Sequence, residues 1–356
     1  MNITELYNAK SVAVHWDDNA SNREPYVGEG LFTTQKKQGI DIKDIRGHKK
    51  LPVSLMPTNF DAVSTLRTRE NFKAEEKEMA FFRESMLIKE RDEQDMARVI
   101  DANDPYVDEV MARLYNDSDT LIEGARGGAE RMRMQLLCPD VDGSPRILIA
   151  ADGKQYSYNY DPDGSYAANN YKALSGTSQW TDYANADPLA DLEAGINAVV
   201  ALTGNRPTRV MMNSVTFGHL KKCENVKSAV LAQNLTANVY MNSARVKELI
   251  KNELGLTIIL NDKMYEDNDG VVHKYYADGF VTLLPDGYLG TTWYGVTPEE
   301  RTLQGKTDAS VSIVDTGIAV VVKVTDDPVN TKTTVSVITL PSYERMGETY
   351  AIKVFS

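Results

Sequence analysis

The feature that most constrains this chain is a run of about 34 residues, 105–138, with the apolar spacing of one amphipathic helix. Asp104 suits the cap position, Pro105 the first helical position, and Pro139 ends the run. Apolar residues recur three and four positions apart: Val107, Met111, Leu114, Leu121, Ala125, Met132 and Leu136. A bend is the alternative left open by three glycines: Gly124, Gly127 and Gly128. A straight helix of this length would measure about 51 Å, which is close to the diameter of roughly 50–55 Å for a compact chain of this size. We therefore expect a flat or elongated molecule.

The composition and charge of the chain exclude several classes of protein. With 356 residues, 42% of them hydrophobic, the chain is neither disordered nor fibrous. Two cysteines, Cys138 and Cys223, exclude a disulfide scaffold and a zinc ribbon. No stretch approaches the ~20 apolar residues of a membrane span, and residues 1–5 do not begin a signal peptide. A net charge of −12 argues against a sequence-reading DNA binder, because phosphate neutralisation dominates such binding. We expect a soluble intracellular protein.

The N-terminal part of the sequence lacks the pattern of a compact domain. Residues 1–30 show neither helical nor strand periodicity over a useful window, which predicts an extended arm. Apolar and polar residues alternate across 39–66, on both sides of the basic turn 46–50, which predicts a long hairpin. Its arms of about 15 residues would reach about 50 Å, and too little apolar sequence surrounds them to cover both faces, which indicates a partner chain. Residues 74–98 carry charges of both signs three and four positions apart and predict a solvated or broken helix.

The rest of the chain mixes helix and strand signals. Asp187 caps a helix that Gly204 ends, Asn213 caps a shorter one, and a third covers 243–254. The turn 267–270 predicts a small hairpin. Apolar strands are predicted at 146–150, 210–212, 256–260, 311–314, 318–324, 333–340 and 350–355. Helices and strands in this order indicate an α+β protein.

Two short motifs begin like nucleotide-binding loops but do not complete the pattern. The Gly-Lys-Thr of 305–307 looks like the end of a phosphate loop, but position 300 is Glu and a strand follows instead of a helix. The Gly-Glu-Gly of 28–30 begins a dinucleotide fingerprint, but position 33 is Thr and no strand precedes it. Neither motif predicts a bound nucleotide.

The candidates for a metal or nucleophilic site are isolated residues. The four histidines have no second His and no Glu at metal spacing: His15, His48, His219 and His273. A Ser/His/Asp triad stays open, although the sequence has no Gly-X-Ser-X-Gly elbow. Both cysteines lack partners and are interpreted as inert thiols. The segments 161–164 and 267–270 lack the spacing and closing Glu of a calcium loop and are interpreted as turns. We predict no catalytic, cofactor-binding or metal residue, so the chain is interpreted as a building block and not as an enzyme.

Four segments, in order along nearly the whole chain, resemble those of the lambda-type major capsid proteins of tailed double-stranded DNA phages. The most specific is 279–301, where an apolar strand and a Pro-X-Gly turn lead to Gly-Thr-Thr-Trp-Tyr-Gly-Val-Thr-Pro-Glu. The other three are Gly-Leu-Phe at 30–32, Ala-Glu-Arg-Met-Arg-Met-Gln-Leu-Leu at 129–137 and Leu-Pro-Ser-Tyr-Glu at 340–344. The loop 138–145 departs from the family pattern, because it is longer than the expected glycine turn.

This resemblance implies the tailed-phage major capsid fold, an α+β architecture in five parts. The parts are an N-terminal arm (1–30), an extended β-hairpin loop over a neighbouring subunit (31–78), a peripheral domain (79–184) with a long spine helix (105–138), an axial α/β domain (185–305), and C-terminal strands that complete the peripheral domain (306–356). The segment 293–295, Trp-Tyr-Gly, would have a structural role.

The same resemblance implies a function in assembly. Pentamers and hexamers of the chain would form, on a separate scaffolding protein, a procapsid in the host cytoplasm. The procapsid would expand into the icosahedral head of the virion as DNA enters. Other implied partners are a portal, a decoration protein and packaged DNA in weak, non-specific contact; no membrane and no cofactor are implied. A Lys–Asn crosslink between subunits is not predicted, because nothing in the sequence selects a pair.

Two other functions compete with this one. An encapsulin-like compartment would have the same fold around a protein cargo, and the mixed texture of 187–260 would also suit a small-molecule enzyme. If the chain does form a head, its charge of −12 suggests an acidic wall that repels packaged DNA and lets it slide.

Overall fold

The computed structural model describes residues 7–45, 74–91, 94, 107–151, 154–232, 242–267, 269–303, 309–326 and 329–355. The helices are α1 (Ala9–Asp18), α2 (Val107–Leu137), α3 (Ser165–Asn169), α4 (Pro188–Thr203), α5 (Ser214–Lys222), α6 (Glu224–Ala232), α7 (Ser243–Leu254) and α8 (Pro298–Leu303). The strands are β1 (Phe32–Lys36), β2 (Asp41–Ile45), β3 (Ala74–Glu78), β4 (Ala80–Ile88), β5 (Arg146–Ala151), β6 (Lys154–Asn159), β7 (Tyr171–Ala173), β8 (Arg209–Met212), β9 (Thr257–Leu260), β10 (Met264–Glu266), β11 (Val272–Lys274), β12 (Phe280–Leu284), β13 (Gly290–Tyr294), β14 (Ala309–Val314), β15 (Ile318–Asp326), β16 (Val329–Pro341) and β17 (Tyr350–Lys353). The chain divides into unit 1 (Met1–Ile42, Glu76–Met132, Gly290–Ser342) and unit 2 (Lys43–Glu75, Arg133–Leu289, Tyr343–Ser356).

Unit 1 is built on a six-stranded sheet. Its strands lie in the order β1-β13-β16-β15-β14, and β4 also pairs with β16. Side chains of α1, α2 and the sheet form one apolar core: Tyr7, Val12, Trp16, Leu121, Ile122, Val320, Val335 and Val337. Removing this apolar surface from water is the main force that holds the helices to the sheet.

Unit 2 is built on a five-stranded sheet in the order β7-β17-β12-β8-β9. All of β12 is buried, because it is the central strand with partners on both sides. Four helices cover the sheet with apolar side chains that include Leu192, Ile196, Phe217, Leu220, Val226, Val246, Leu249 and Ile250. The strand predicted at 256–260 is only half-buried as β9, since it lies at the sheet edge and pairs with β8 alone among the described strands.

The predicted long helix is present as α2 and runs without interruption through its three glycines. The predicted start at Asp104 and Pro105 lies outside the described residues. No helix in the described ranges is both long enough and apolar enough to cross a membrane.

The prediction of an irregular arm over residues 1–30 is wrong, because α1 forms there. Asn8 begins the helix: its side chain accepts a hydrogen bond from the backbone N–H of Ser11, and its own backbone N–H donates to the Ser11 hydroxyl, both at 3.0 Å. This reciprocal arrangement is a capping box. The buried positions Ala9, Val12 and Trp16 follow helical spacing, but three positions are too few for the periodicity to be recognised in the sequence.

The prediction of a solvated helix at 74–98 is also wrong in the part that the structure describes as strand. β4 pairs with β16 along its whole length, from Ala80 opposite Thr339 to Ile88 opposite Thr331. Such a ladder outweighs local helix propensity. Residues 83–87 are all exposed, because β16 is the only partner of β4 among the described strands. An edge strand with polar side chains on both faces has the composition of a solvated helix.

The long hairpin is described only at its base. β2 pairs with β3 in a two-stranded ribbon, so the described return strand lies beyond the predicted end at 66. The second alternating run and the basic turn 46–50 lie outside the described residues. The five-part domain division stays a prediction, although β17 does not join the other C-terminal strands; it pairs with β12 and β7 in unit 2.

Most predicted elements of the second half are confirmed. The Asp187 carboxylate accepts a hydrogen bond from the N–H of Ala190 at the start of α4, and Gly204 ends the helix with a φ of +73°. Asn213 caps α5 in the same way, and β10 and β11 form the small hairpin. The sequence did not predict α6, which follows α5 after a single residue.

Candidate assembly site

Parts of three of the four segments identified in the sequence, 30–32, 290–301 and 340–342, lie side by side in unit 1. β1 and β13 are parallel neighbours, with Phe32 opposite Gly290. β13 is antiparallel to the end of β16, with Trp293 opposite Leu340. Segments that are far apart in the sequence therefore share one corner of the six-stranded sheet, which we call the family corner.

Buried hydrogen bonds and a close backbone approach hold the family corner together. The hydroxyl of Ser342 accepts from the N–H of Thr291 at 3.1 Å, and the N–H of Ser342 donates to the Thr291 carbonyl at 2.8 Å. A Cβ added to Gly295 would lie 2.8 Å from Cγ2 of Ile338. Position 295 is thus restricted to glycine by space.

The fourth segment, at the end of α2, meets the chain just before β1. The backbone N–H of Gly28 donates to Oε1 of Glu130 at 2.9 Å. Glu130 is 1% exposed, and a buried carboxylate is tolerated only with such partners. The helix segment is therefore joined to the same framework as the other three.

Arg126, one turn earlier on α2, gathers three carboxylates around the N-terminal segment. Its guanidinium lies 2.7 Å from Glu29, 3.3 Å from Glu123 and 3.6 Å from Asp315. Burial opposes the charge of Arg126, but the hydrogen bond to Glu29 and the nearby carboxylates raise its pKa overall. Asp315, with φ at +49°, also accepts a hydrogen bond from Nε1 of Trp16 at 3.4 Å. These contacts tie α1 to the body of unit 1.

In unit 2, side chains hold the last residues of α2. The hydroxyl of Thr282, on the central strand β12, donates to the Leu137 carbonyl at 2.7 Å. The side-chain amide of Gln135 donates to the Leu148 carbonyl at 3.2 Å and accepts from the Leu148 N–H at 3.1 Å. The Gln135 side chain thus makes with Leu148 of β5 the two hydrogen bonds that a neighbouring strand would otherwise make.

Two arginines clamp the Pro-X-Gly turn of the 279–301 segment, also in unit 2. Arg209 donates to the carbonyls of Pro285 and Gly287, and Arg345 donates to the carbonyl of Asp286. Gly287 has a φ of +78°, a conformation that favours glycine. Hydrogen bonds from two side chains therefore hold the turn.

The isolated histidines do not come together. His15 lies 3.3 Å from Asp119, His219 bonds to the Tyr183 hydroxyl at 3.1 Å, and His273 lies 2.7 Å from Asp267. His48 and the segment 305–307 lie outside the described residues. Within the described ranges, no group of three His, Cys, Asp or Glu residues could hold a metal ion.

Both cysteines and the acidic turn 161–164 lie within the described residues. Burial raises the pKa of Cys138 to about 12 and that of Cys223 to about 11, which favours the protonated thiol at neutral pH. The Asp161 carboxylate accepts hydrogen bonds from the N–H groups of Tyr166 and Ala167, so it stabilises a turn and a short helix. Residues 28–30 belong to a short 3₁₀ turn, Val27–Gly30.

Comparison with known proteins identifies the family of this chain. The family described as phage major capsid protein E matches residues 18–354. The chain belongs to this family. No curated protein matches it.

Solved structures show the same fold at low sequence identity. A protein assigned as the capsid protein of an Escherichia coli CFT073 prophage is 12% identical, with 98% of this chain and 99% of that one covered and a TM-score of 0.58. A phage-related protein from Bordetella bronchiseptica RB50 is 15% identical, with 96% of each chain covered and a TM-score of 0.54. The encapsulin of Synechococcus elongatus PCC 7942 is 11% identical over 99% of this chain and 94% of that one, with a TM-score of 0.42. That likeness is too weak to favour a cargo compartment.

These findings confirm the predicted resemblance and the tailed-phage capsid fold. A phage major capsid protein is a structural protein of the virion that associates with further copies of itself into a shell.

Sequence reasoning missed the apolar side chains that the framework leaves exposed. On β4 these are Phe81 (44% exposed) and Leu87 (54%), and on the β10–β11 hairpin Met264 (55%) and Val272 (61%). Val141, at 85%, lies in the loop that departs from the family pattern. Periodicity could not identify them, because exposure at a sheet edge or hairpin depends on which strands pair. They are the candidate contacts with other copies.

Proposed function

We propose that this capsid protein assembles through pentamers and hexamers into the icosahedral shell that encloses phage DNA. The observation that carries the proposal is the family corner, where segments that resemble those of phage major capsid proteins meet in one sheet. Membership of the family over residues 18–354 supports the same function.

The two units and the extended loop would have different roles in assembly. Unit 1, with its sheet and long helix, would supply the peripheral domain, and unit 2 would supply the axial domain around the five-fold and six-fold axes. The β2–β3 ribbon would lead into the extended loop over a neighbouring subunit. Obligate interfaces commonly bury about 2,000–5,000 Å², and the exposed apolar side chains of β4 and β10–β11 would contribute to such areas.

Other components would complete the head in the host cytoplasm. A separate scaffolding protein would guide the procapsid, a portal would occupy one vertex and a decoration protein would bind the outer surface. Packaged DNA would touch the wall weakly and without sequence preference, because a chain of net charge −12 repels phosphate overall.

Native mass spectrometry of the unassembled protein tests the capsomer proposal. The expected result is a pair of species with five and six chains. A single closed dimer or tetramer, which is typical of a small-molecule enzyme, contradicts the proposal. Analysis of the contents of purified particles separates a phage head, which holds DNA, from a compartment that holds a protein cargo.

A further inference from the structure

Unit 2 carries a cluster of cations in a chain whose net charge is −12. The cluster, which we call the basic patch, comprises Lys221 and Lys222 at the end of α5 and Arg245, Lys247 and Lys251 on α7. All five side chains are exposed or half-buried. None of them forms an ion pair with a carboxylate in the part of the chain that the structure describes.

The two helices bring their ammonium groups to the same ring. Nζ of Lys221 lies 5.3 Å from the centre of the Phe217 ring, and Nζ of Lys247 lies 5.8 Å from it. Lys221 also donates to the hydroxyl of Ser243, in the first turn of α7, at 3.0 Å. Both cations therefore lie beside one aromatic ring at the surface of unit 2, where an anion could contact them.

Helix dipoles explain only part of the basic patch. Cations at the C-terminal end of a helix are favourable, which accounts for Lys221 and Lys222 on α5 and for Lys251 on α7. Arg245 lies in the first turn of α7, where a cation is unfavourable. Burial, and to a lesser extent the charge of Lys222 on the same helix, lower the pKa of His219. The only acids on these two helices are Glu248 and Glu253.

We propose that the basic patch contacts the phosphate backbone of packaged double-stranded DNA. The inference rests on the proposed function, which supplies DNA as the polyanion inside the shell. Lysine contacts phosphate as a point charge, and a contact to phosphate does not distinguish one base from another. The binding is therefore independent of the DNA sequence. The net charge of −12 on the whole chain keeps each contact weak, which lets packaged DNA move.

Fluorescence anisotropy of a labelled random duplex of about 30 base pairs, titrated with the full chain at several NaCl concentrations, tests the patch. The test variant is Lys221→Gln with Lys247→Gln. The control is Lys323→Gln with Lys332→Gln, a pair directly opposite on β15 and β16 that removes the same charge. Only the test variant is expected to bind about tenfold more weakly at low salt, with a salt slope smaller by about two. Lys221→Arg with Lys247→Arg should bind as the unchanged protein does.

Three results overturn the inference: no duplex binding by the unchanged protein, an equal loss in both Gln variants, or preferential binding of polyglutamate. The last would assign the patch to an acidic protein. Circular dichroism checks that the variants fold. Negative-stain microscopy keeps this test separate from that of the proposed function. If the test variant forms normal shells and binds DNA as the unchanged protein does, only the inference about the basic patch is overturned. If the unchanged protein forms no shells, the proposed function is contradicted.

Discussion

The backbone N–H of Gly28 donates a hydrogen bond of 2.9 Å to Glu130 inside unit 1. The bond joins the residues just before β1 to the last turns of the long helix, and so connects two of the family segments. Both groups are buried, so neither can exchange its partner for water. We therefore expect the framework to depend on this one contact more than on the many surface ion pairs.

Replacing Glu130 tests that dependence. Glu130→Ala leaves the Gly28 N–H buried without a partner and is expected to lower the free energy of unfolding by about 2–3 kcal/mol. Glu130→Gln keeps an acceptor oxygen and should lower the free energy of unfolding by a smaller amount. Thr120→Ala, at an exposed position of the same helix, is the control and should change stability by less than about 0.5 kcal/mol. Thermal unfolding measures all three; equal stability of the Ala and Gln variants would contradict the assigned role.

Gly279 opens the most specific family segment, and two constraints act on it. Its φ is +76°, and an added Cβ would lie 2.5 Å from the Phe355 carbonyl oxygen. Gly279→Ala is expected to destabilise the protein by about 3 kcal/mol. Gly218→Ala, in α5 with open space around it, should stabilise by about 0.5–1 kcal/mol. Urea unfolding of both variants checks the contrast, and a neutral Gly279→Ala would show that the turn tolerates a side chain.

The sequence predicted those elements whose own residues determine them. α4 has its cap, its proline and its final glycine within one continuous segment, and β10–β11 has its turn. α1 was missed because three buried positions do not make a recognisable period. β4 was taken for a helix because its strand character comes from β16, which lies about 250 positions later in the chain. The family corner could be anticipated only as separate segments, since their pairing is a long-range property of the fold.

The raised pKa of the Cys138 thiol gives a prediction about pH. Burial raises the pKa of Cys138 from its ordinary value of 9.0 to about 12, so the folded protein holds this proton more tightly than the unfolded chain does. The contribution of this thiol to the free energy of unfolding is therefore fully present below pH 9.0 and is lost as pH rises from 9.0 toward about 12. Stability measured across this window should fall with rising pH.

Thiol titration at mildly alkaline pH checks the same burial directly. Cys138 and Cys223 should not react with a disulfide reagent in the native protein and should both react in denaturant. Ser228→Cys, at an exposed position of α6, supplies a reactive control. Rapid reaction of a native thiol would show that it is accessible.

Shortening the extended loop separates folding from assembly. Replacement of residues 46–73 by a short Gly-Ser linker leaves β2 and β3 in the chain. Unit 2 should keep its fold, since the core residues of that unit lie outside the loop, and circular dichroism and thermal unfolding would show this. Closed shells should no longer form, because the loop would supply contacts between copies. Normal shells from the shortened chain would remove the loop from the assembly mechanism.

The central claim, that this chain builds a phage head, is tested most directly by negative-stain electron microscopy of the full chain expressed together with its scaffolding protein, with light scattering of the same sample. The account predicts closed shells of uniform size, with capsomers as their precursors. Monomers or dimers alone, even in the presence of scaffold, would contradict it.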